Sequence, residues 1–460
     1  MNFKEICDRE LKESEGLKNL LKKLEDVKGK RVLLFGHDDP DGTSSASIIK
    51  RVLEKKGASF VHTVFPEGFD VFPYEIEAES KYGPFDLFVS VDKGSKDGLD
   101  KIVEMGLDTL AIDHHFLMGE IKKATLFNSL LTKRSYCSGS YLCLIVSTLL
   151  GCVEPIDEFD ALIGLKADFA IDPTSGNFGG ADFVKPWIEE IKPRWENLFK
   201  EIPGTATLFD TAQREKTTLL SQIAEVYFAV TGGAFQYFYP DDPILGKLNQ
   251  PLLCFEENLK LNTKIDKLKK VNSLEDFMKL IDKREAWQRA YDLFKRNWSD
   301  VVKKMETAVP IGRANDATIY LFVSDKLPLI PMVGGIALAE KVKKNADGEG
   351  MIFMINTEIT SQGKLGTHFS LRATSDKIHV GKICQASAAR LNEVFNNPTE
   401  ISGGGHPRAG ECRTRNAGVP HGIALYHGIS LLRELLELEA KRSSWTDSDK
   451  KRAVELGIAS

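Results

Sequence analysis

Short apolar segments alternate with amphipathic segments over the first part of the chain. Residues 31–36 and 87–91 are mostly apolar runs flanked by glycine and charged residues, which is typical of strands buried on both faces of a parallel sheet. Residues 43–56 have helical periodicity and are followed by Gly57, a common helix-ending residue. Residues 58–65 are typical of a further strand. This alternation predicts an α/β domain with a parallel sheet.

Several apolar runs in this part of the chain end in acidic residues or histidines. The runs cover 31–36, 87–91, 110–112 and 164–167, and they are followed by His37-Asp38-Asp39-Pro40-Asp41-Gly42, Asp92-Lys93-Gly94, Asp113-His114-His115 and Asp168. Ligands of open α/β sheets bind beyond the carboxyl ends of the strands. We therefore expect these side chains to meet at one edge of the sheet.

The residue types indicate metal chemistry. Carboxylates and imidazoles without thiolates suit hard or borderline divalent ions such as Mn²⁺, Mg²⁺ or Zn²⁺. The candidate ligands outnumber those that a single catalytic ion with open positions needs, and they fit two ions that share a bridging carboxylate. Such a pair activates water and neutralises charge on a phosphoryl oxygen. The predicted reaction is phosphoester hydrolysis.

A purely structural role is the alternative for each cluster. A single aspartate after a strand is most often a helix cap or a turn residue, and that interpretation would suffice for Asp92 alone. Asp113-His114-His115 is much harder to explain by packing, because adjacent histidines point in different directions and burying them costs solvation. All the clusters together favour a metal site.

The second part of the chain has a different pattern. Residues 174–310 are mostly helical in periodicity and contain no catalytic motif, and their last segment, 287–305, predicts a long connecting helix. Beyond it, candidate strands alternate with helices again. The strands are 319–323, 351–355 and 368–372, and the helices are 330–345 and 380–396.

We therefore predict an α/β fold in which a parallel-sheet catalytic domain is joined, through a helical insertion and a long connecting helix, to a smaller α/β domain. The N-terminal residues 3–28 are expected to form one amphipathic helix. The predicted domains are 1–175, the catalytic domain with this helix; 176–310, the insertion and connecting helix; 311–430, the smaller domain; and 431–460, a C-terminal helix and polar tail.

Composition narrows the protein class. The chain of 460 residues is long enough for two or three domains, and 42% hydrophobic content is ordinary for a globular protein. No apolar run approaches a membrane span, and the N-terminal residues lack the apolar region of a signal peptide. The seven cysteines are scattered, which favours a reducing, cytoplasmic location over a disulfide framework. A net charge of −5 neither supports nor excludes nucleic acid as a partner.

The motifs resemble a known family. His37-x-Asp39-x-Asp41-Gly42, Val91-Asp92-x-Gly94, Asp113-His114-His115 and Ala167-Asp168 resemble, in order, the four motifs of the DHH phosphoesterase superfamily. Downstream, Gly403-Gly404-Gly405-His406-Pro407-Arg408-Ala409-Gly410 and Phe369-Ser370-Leu371-Arg372 resemble the glycine-rich motif and the substrate-binding arginine of the DHH-associated domain. Within the superfamily the chain is most similar to RecJ-like nucleases, especially those of archaeal type. Another motif form in the superfamily would place its last aspartate at Thr43, whereas the RecJ-like form matches His37, Asp39 and Asp41.

The resemblance implies roles for the matched residues. The metals are expected to be held by Asp41, Asp92, His114 and Asp168, with Asp92 as the bridging ligand. His37 and Asp39 are expected to complete the first metal site. His115 is expected to stabilise the phosphoryl oxygens or protonate the leaving oxygen, while Asp113 orients a histidine; Asp172 is a further candidate. Substrate binding is expected at Arg372, Gly403, Gly404, Gly405, His406 and Arg408. The implied cofactors are two divalent ions, Mn²⁺ first and Mg²⁺ as the alternative.

Three functions compete at this point. The first is an exonuclease on single-stranded DNA or RNA in DNA replication or repair, and the long insertion favours it. The second is a phosphodiesterase for short oligonucleotides or cyclic dinucleotides. The third is a non-catalytic replication-fork scaffold, which ranks last because related scaffolds lose ligands that this chain keeps. The implied partners are single-stranded nucleic acid and a replication or repair protein, such as a helicase or a GINS-type complex, without a membrane.

Two stretches of the middle region are ambiguous. The aromatic residues of 226–239 would stack bases of a single strand or, as dense aromatics more often do, pack in the core. A set of basic residues would follow a phosphate backbone or simply be solvated. These residues are Lys264, Lys267, Lys269, Lys270, Lys295, Arg296, Lys303 and Lys304.

Overall fold

The computed structural model divides the chain into two compact units, Met1–Asp292 and Leu293–Ser460. The described residues are 1–459 except 67, 69, 95–97, 118, 205, 211–214, 232–241, 326–329, 346–347, 360–364, 397–400 and 415–417. The predicted four-part division of the chain stays a prediction, because a division into compact units does not test it.

The first unit contains fourteen α-helices, the last of which continues into the second unit, and seven strands among its described residues. The helices are α1 (Phe3–Glu13), α2 (Glu15–Glu25), α3 (Pro40–Lys55), α4 (Pro73–Glu79), α5 (Gly98–Glu104), α6 (Gly139–Leu149), α7 (Pro155–Ala167), α8 (Val184–Ile191), α9 (Glu196–Phe199), α10 (Leu219–Val230), α11 (Gln250–Leu261), α12 (Ile265–Leu268), α13 (Leu274–Met278) and α14 (Arg284–Met305). The strands are β1 (Arg31–Gly36), β2 (Phe60–Val64), β3 (Leu87–Val91), β4 (Asp108–Asp113), β5 (Thr125–Asn128), β6 (Glu201–Pro203) and β7 (Lys216–Thr218).

The second unit holds the remaining α-helices and strands of the described chain. The helices are α15 (Ile330–Asn345), α16 (Val380–Phe395), α17 (His421–Ala440) and α18 (Asp447–Glu455). The strands are β8 (Val309–Ala314), β9 (Ala317–Asp325), β10 (Gly350–Ile359), β11 (Leu365–Ala373), β12 (Ser402–Gly405) and β13 (Ala409–Arg413).

A five-stranded parallel sheet forms the centre of the first unit. Its order is β2-β1-β3-β4-β5, and every pair is parallel. The apolar runs predicted as strands are buried, and the side chains of β3 are buried along its whole length, because helices cover both faces of such a sheet. All five carboxyl ends therefore lie along one edge, as predicted for a site of this fold class.

One predicted strand is wrong. Residues 164–167 form the last turn of α7, and Asp168 is the C-cap of that helix. The run is too short for periodicity to separate a strand from a buried helix, and Phe159, Leu162 and Ile163 earlier in α7 are fully buried as well. Asp168 therefore approaches the sheet edge from a helix end.

The N-terminal segment is two helices rather than one. Ser14 ends α1 in an extended conformation and caps α2, since its hydroxyl accepts the N–H of Leu17 at 3.1 Å. Serine competes with the helical backbone for such hydrogen bonds. The apolar side chains of this amphipathic segment, including Leu17, Leu20 and Leu24, are buried.

The middle region is mainly helical, as predicted, with the addition of a short antiparallel β6–β7 pair. Helix α14 covers the predicted connecting helix. Tyr227 and Phe228 are buried in α10, so these two aromatics belong to the core; residues 232–239 lie outside the described residues. Lys264 pairs with Asp282 at 2.5 Å, as expected for a lysine on a solvated surface.

The second unit is built on a mixed sheet with the order β12-β13-β11-β10-β9-β8. Only the β9–β10 pair is parallel among the strands described. Phe353, Phe369 and Leu371 from the sheet pack in one core with Ile383 of α16 and Leu431 of α17.

The last residues of the chain differ from the predicted polar tail. They form α18, which Thr446 caps, and Ala453, Leu456 and Ile458 are buried in the core of the second unit. The apolar positions are few and widely spaced, so the sequence pattern is dominated by the charged face. Across the described residues, no helix is both long enough and apolar enough to span a membrane.

Candidate metal centre

Asp92 lies directly beyond β3 in a left-handed backbone conformation, with φ 59°. Its N–H donates to the carbonyl of Ile112 at the end of β4, at 2.8 Å. Aspartate tolerates this conformation better than most residues. The side chain of Asp92 is 1% exposed.

Asp41 is held by the N-terminus of a neighbouring helix. It lies in the first turn of α3, fully buried, and its carboxylate accepts the N–H groups of Gly139 at 2.6 Å and Ser140 at 3.0 Å. These groups begin α6, where unpaired N–H groups favour an anion. A Cβ atom added at Gly164 would lie 2.0 Å from Oδ1 of Asp41. Gly164 therefore leaves the room that this carboxylate occupies.

His114 is the centre of the first ligand group. Its Nε2 atom lies 2.9 Å from Oδ1 of Asp92, 3.0 Å from Oδ2 of Asp168 and 3.7 Å from Oδ2 of Asp41. One ligand atom from each of these four residues lies within 4.8 Å of all the others. The ends of β3 and β4, the first turn of α3 and the end of α7 thus bring together three carboxylates and one imidazole.

A second ligand group consists of His37, Asp39 and Asp92. Nδ1 of His37 lies 3.0 Å from Oδ2 of Asp39 and 3.7 Å from Oδ2 of Asp92, and the three candidate ligand atoms also lie within 4.8 Å of one another. Asp39 has a second task, because its Oδ1 accepts the N–H of Gly42 at 2.8 Å and caps α3. Asp92 belongs to both groups, and its Oδ1 is the oxygen near His114 while its Oδ2 is the oxygen near His37.

Asp113 and His115 form a separate pair beside these groups. Oδ1 of Asp113 accepts the backbone N–H groups of His114 and His115 at 2.8 and 3.2 Å, and it lies 2.7 Å from Nδ1 of His115. Asp113 thereby fixes the orientation of the His115 ring. A group of Asp92, Asp113 and His115 also meets the 4.8 Å limit, although Asp113 is already engaged by these contacts.

The carboxylates are packed too closely for all of them to be charged without a cation. Burial, followed by the charges of Asp41 and Asp39, raises the pKa of Asp92 well above its ordinary value. Burial and Asp41 raise the pKa of Asp168 to about 7. Burial would also raise the pKa of Asp39, but His37 outweighs burial and lowers it to about 2.

The pKa values of the two histidines are also shifted by burial and by the neighbouring carboxylates. Burial by itself would lower the pKa of His114, but its contacts with Asp168 and Asp92 outweigh burial and raise that pKa well above the ordinary value. For His115 burial wins, and the pKa lies below the ordinary value although Asp113 opposes the shift. In the absence of metal, protons therefore supply the positive charge that the cluster needs.

The donor set fits divalent metal ions. Both oxygens of Asp92 are buried and accept no hydrogen bond of normal geometry from the described part of the chain, as expected for a carboxylate arranged around a cation. The donors are oxygen and nitrogen atoms without thiolates, which suits Mn²⁺, Mg²⁺ or Zn²⁺. Asp172, the further candidate, lies in none of the ligand groups found among the described residues; its carboxylate accepts the hydroxyls of Thr174 and Ser175.

Sequence reasoning missed several residues that shape this centre. The hydroxyl of Tyr136 donates to the carbonyl oxygen of Asp168 at 3.0 Å, and its ring centroid lies 5.8 Å from that of His114. Gly139 is closed in by Asp92, whose Cβ would lie 2.9 Å from an added Cβ. The glycine within Ser138-Gly139-Ser140, at the start of a helical pattern, was the one available signal.

The predicted substrate residues lie in the second unit. Gly403 and Gly405 are in β12, close to α16: a Cβ at Gly403 would lie 2.2 Å from the carbonyl oxygen of Cys384. Gly405 has φ 126°, a conformation that favours glycine. Close packing of helix and strand is thus a sufficient reason for glycine at 403, in addition to the predicted approach of a phosphate.

The two predicted arginines have different surroundings. Arg372 is 12% exposed, and its Nη1 donates to the carbonyl of Leu371 at 2.8 Å and to the hydroxyl of Ser370 at 3.2 Å. The side chain of Arg408 is 61% exposed and its Nε donates to Asp376 at 2.7 Å. The structure therefore presents Arg408, rather than Arg372, to solvent. His406 continues from β12, and its N–H donates to the carbonyl of Ala409 at 2.7 Å.

Residues 31–158 match the model of the DHH family, N-terminal domain. Among solved structures, a manganese-bound RecJ exonuclease has a TM-score of 0.53 and 17% sequence identity, with 96% of this chain and 98% of that chain covered. RecJ from Thermus thermophilus in complex with Mn²⁺ has a TM-score of 0.56 and 17% identity, with 91% and 55% covered.

A DHH domain described as belonging to a family of ribosomal proteins has a TM-score of 0.57 and 15% identity, with 92% of both chains covered. At these identities the likeness concerns the fold. The chain spans almost the whole of the first RecJ structure and about half of the second. Among curated proteins, no sequence matches this chain.

Proposed function

Since residues 31–158 form a DHH-family N-terminal domain and the chain has the fold of the RecJ exonucleases, we propose that it is a metal-dependent exonuclease. In this proposal it hydrolyses phosphodiester bonds of single-stranded DNA, RNA or both. The observation that carries the proposal is the sharing of Asp92 between two buried ligand groups at the carboxyl edge of the sheet.

The first group, Asp41, Asp92, His114 and Asp168, would hold one divalent ion, and His37, Asp39 and Asp92 would hold the other. Two such ions, Mn²⁺ in our proposal, lower the pKa of water and neutralise charge on the phosphoryl group. The chain's own contribution is to fix these ligands before the substrate arrives. It does so through the α6 N–H groups on Asp41 and the turn that places Asp92.

His115 would act on the phosphoryl group, and Asp113 would be its positioning residue. Asp113 contacts Nδ1 of the His115 ring at 2.7 Å, so in this proposal Nε2 is the atom that acts on the substrate. A protonated ring would donate from Nε2 to a phosphoryl oxygen or to the leaving oxygen, and Asp113 would stabilise the imidazolium. The low pKa of His115 makes this donor role weaker as the pH rises.

Substrate binding in the second unit would use Arg408, Arg372, His406 and the backbone of Gly403 to Gly405. Arg408 is the exposed cation of this set, so it would contribute most to phosphate binding. Arg372 is fixed by three acceptors, the carbonyls of Leu371 and Gly410 and the hydroxyl of Ser370, and would act as a rigid donor. A role in DNA replication or repair, and a protein partner there, rest on the resemblance alone and stay predictions.

The test is digestion of single-stranded DNA and RNA labelled at the 5′ or the 3′ end, with Mn²⁺ and with EDTA. We expect a metal-dependent ladder that starts from one end, which also determines the polarity. Turnover of only di- or trinucleotides would replace the proposal by a small-substrate phosphodiesterase. No turnover of either substrate class, in protein that binds Mn²⁺, would contradict it.

A further inference from the structure

Three aromatic residues at the metal centre are exposed to solvent. Phe116, which follows His115, is 36% exposed; Tyr136 is 37% exposed; and Phe169, which follows Asp168, is 44% exposed. Single exposed apolar residues are common on protein surfaces. Three exposed aromatics that each adjoin a proposed metal ligand or a proposed catalytic residue form a cluster around one site and call for an explanation. Tyr136 and Phe169 also have contacts that define their positions.

Tyr136 is fixed over the first ligand group. Its ring is tilted by 50° to that of His114, with the centroids 5.8 Å apart, and its hydroxyl donates to the carbonyl oxygen of Asp168 at 3.0 Å. The loop that carries it is tied to α1, because Arg134 donates from Nε to Glu10 at 2.5 Å. The hydroxyl of Tyr136 and the loop that carries this residue are thus both held in place, while part of the side chain remains exposed.

Phe169 has a backbone conformation that glycine adopts more readily than phenylalanine. It is the residue after the C-cap of α7 and has φ 56°, the left-handed conformation that commonly ends a helix and favours glycine. A bulky residue with positive φ is a genuine outlier. Strain of this kind is often retained where the side chain is needed.

The Phe169 ring has a support on one side. Its centroid lies 5.2 Å from that of Phe209, which is 1% exposed. The ring is therefore anchored against the core, while nearly half of the residue remains exposed beside Asp168. Helix ending alone explains the conformation, but it does not explain an exposed phenylalanine there.

We infer that Tyr136 and Phe169 form a base-stacking rim, on which unpaired nucleobases stack beside the phosphodiester that is cleaved. Every base presents a π face, so such stacking is tolerant of sequence. Bases inside a duplex are already stacked on their neighbours and do not have a free face for the rim. This inference rests on the proposed function and adds that the substrate is recognised through its unpaired bases as well as its phosphates.

The experiment is a cycle that combines enzyme variants with abasic substrates. Short single-stranded oligonucleotides carry one tetrahydrofuran residue in place of a nucleotide, at each of the first three positions from either end, and kcat/KM is measured with Mn²⁺. For the wild-type protein we expect about a tenfold loss at one or two of these positions, from the energy of one base–aromatic stack.

The variants then separate the ring from the hydroxyl. On the complete oligonucleotide, Tyr136→Leu should lower kcat/KM about tenfold relative to the wild type. On the abasic oligonucleotide to which the wild type is sensitive, the same substitution should lower kcat/KM little further, since that stack is already absent. Tyr136→Phe keeps the ring and loses the bond to Asp168, so it should retain the preference for a base. Phe169→Leu should behave as Tyr136→Leu at the same or the adjacent position. Leu131→Ala, which removes a 58% exposed side chain from the same loop, is the control and should keep the wild-type pattern.

Equal losses on complete and abasic substrates for both leucine variants would overturn the inference, because the rings would then act through His114 or Asp168. The same conclusion holds if the wild-type protein cleaves abasic and complete strands equally well. If the wild-type protein cleaves no strand at all, the proposed function fails first. The two failures are therefore distinguishable. Thermal unfolding of each variant shows that the fold is retained, and Phe169→Leu keeps the test valid if Tyr136→Leu does not fold.

Discussion

Oδ1 of Asp92 lies 2.9 Å from Nε2 of His114, at the point where the ends of β3 and β4 meet. Oδ2 of Asp92 lies 3.7 Å from Nδ1 of His37 in the second ligand group. Substitution of this one residue should therefore affect both proposed metal sites, whereas substitution of His114 should affect one.

Asp92→Asn should reduce hydrolysis at least about a hundredfold, because even the loss of an outer-shell partner costs roughly 10- to 100-fold and Asp92 is proposed as a shared ligand. Calorimetric titration with Mn²⁺ should show the loss of both high-affinity sites, and circular dichroism should show the native fold. Asp26→Asn is the control, since that carboxylate is 88% exposed. Wild-type turnover in Asp92→Asn would eliminate the two-metal proposal.

Gly164→Ala should disturb the metal centre without changing any proposed ligand. The added methyl group would lie 2.0 Å from Oδ1 of Asp41, so the carboxylate must move. We expect a loss of stability of about 1–3 kcal/mol and at least a tenfold weaker Mn²⁺ affinity.

The matched control is Gly422→Ala, also in a helix, where nothing lies within 4 Å of the added atom. Its stability and metal affinity should match the wild type or slightly exceed them, because alanine is the better helix former. An unchanged Mn²⁺ affinity in Gly164→Ala would show that the position of Asp41 does not limit metal binding.

The buried ion cluster of Arg51 should make stability depend on pH. Arg51 donates to Asp157 and Asp160 at 2.8 and 2.5 Å, and burial, which Arg51 only partly opposes, raises the pKa of Asp160 to about 7. The native state therefore holds this proton more tightly than the unfolded state, in which the pKa is about 3.9. The stabilisation that comes from binding this proton to Asp160 is present at low pH and is lost as the pH rises from about 4 to about 7.

Urea unfolding of metal-free wild type and Asp160→Asn between pH 5 and pH 8 measures this effect. The difference in unfolding free energy should shift in favour of the asparagine variant as the pH rises, while the metal-centre groups titrate alike in both proteins and cancel. Asp449→Asn should give a constant difference over this range, because the pKa of Asp449 is lowered to about 2 by Lys441 and Thr446. A constant difference for Asp160→Asn would mean that Asp160 is charged throughout.

Arg408→Ala should weaken substrate binding more than it slows the chemical step. Its side chain is 61% exposed, and loss of one charge-assisted bond to a phosphate corresponds to about a tenfold increase in KM, with kcat nearly unchanged. Steady-state kinetics on a single-stranded oligonucleotide measure both parameters. Arg433→Ala, which removes a 78% exposed arginine paired with Glu437, should leave them unchanged; an unaltered KM in Arg408→Ala would exclude the binding role.

Much of the fold was predictable because local pattern and tertiary environment agree. The runs that form β1, β3 and β4 are mostly apolar, as expected for strands that are buried on both faces. The short β5 was not predicted, since Thr125–Asn128 has no pattern that distinguishes it from a loop. The break at Ser14 and the burial of Ile458 were missed because one hydrogen bond or one apolar contact leaves no periodic signal.

The sequence by itself determined the residue types of the candidate centre and the edge at which most of them would lie, because strand ends carry them and parallel strands end together. Tertiary structure decided what joins them. It places Asp168 at the end of a helix, brings the N–H groups of α6 to Asp41 and leaves space for that carboxylate at Gly164. The contacts of Asp41 connect residues that lie about 100 to 120 positions apart in the chain, and contacts over such separations are decided by packing rather than by local propensity.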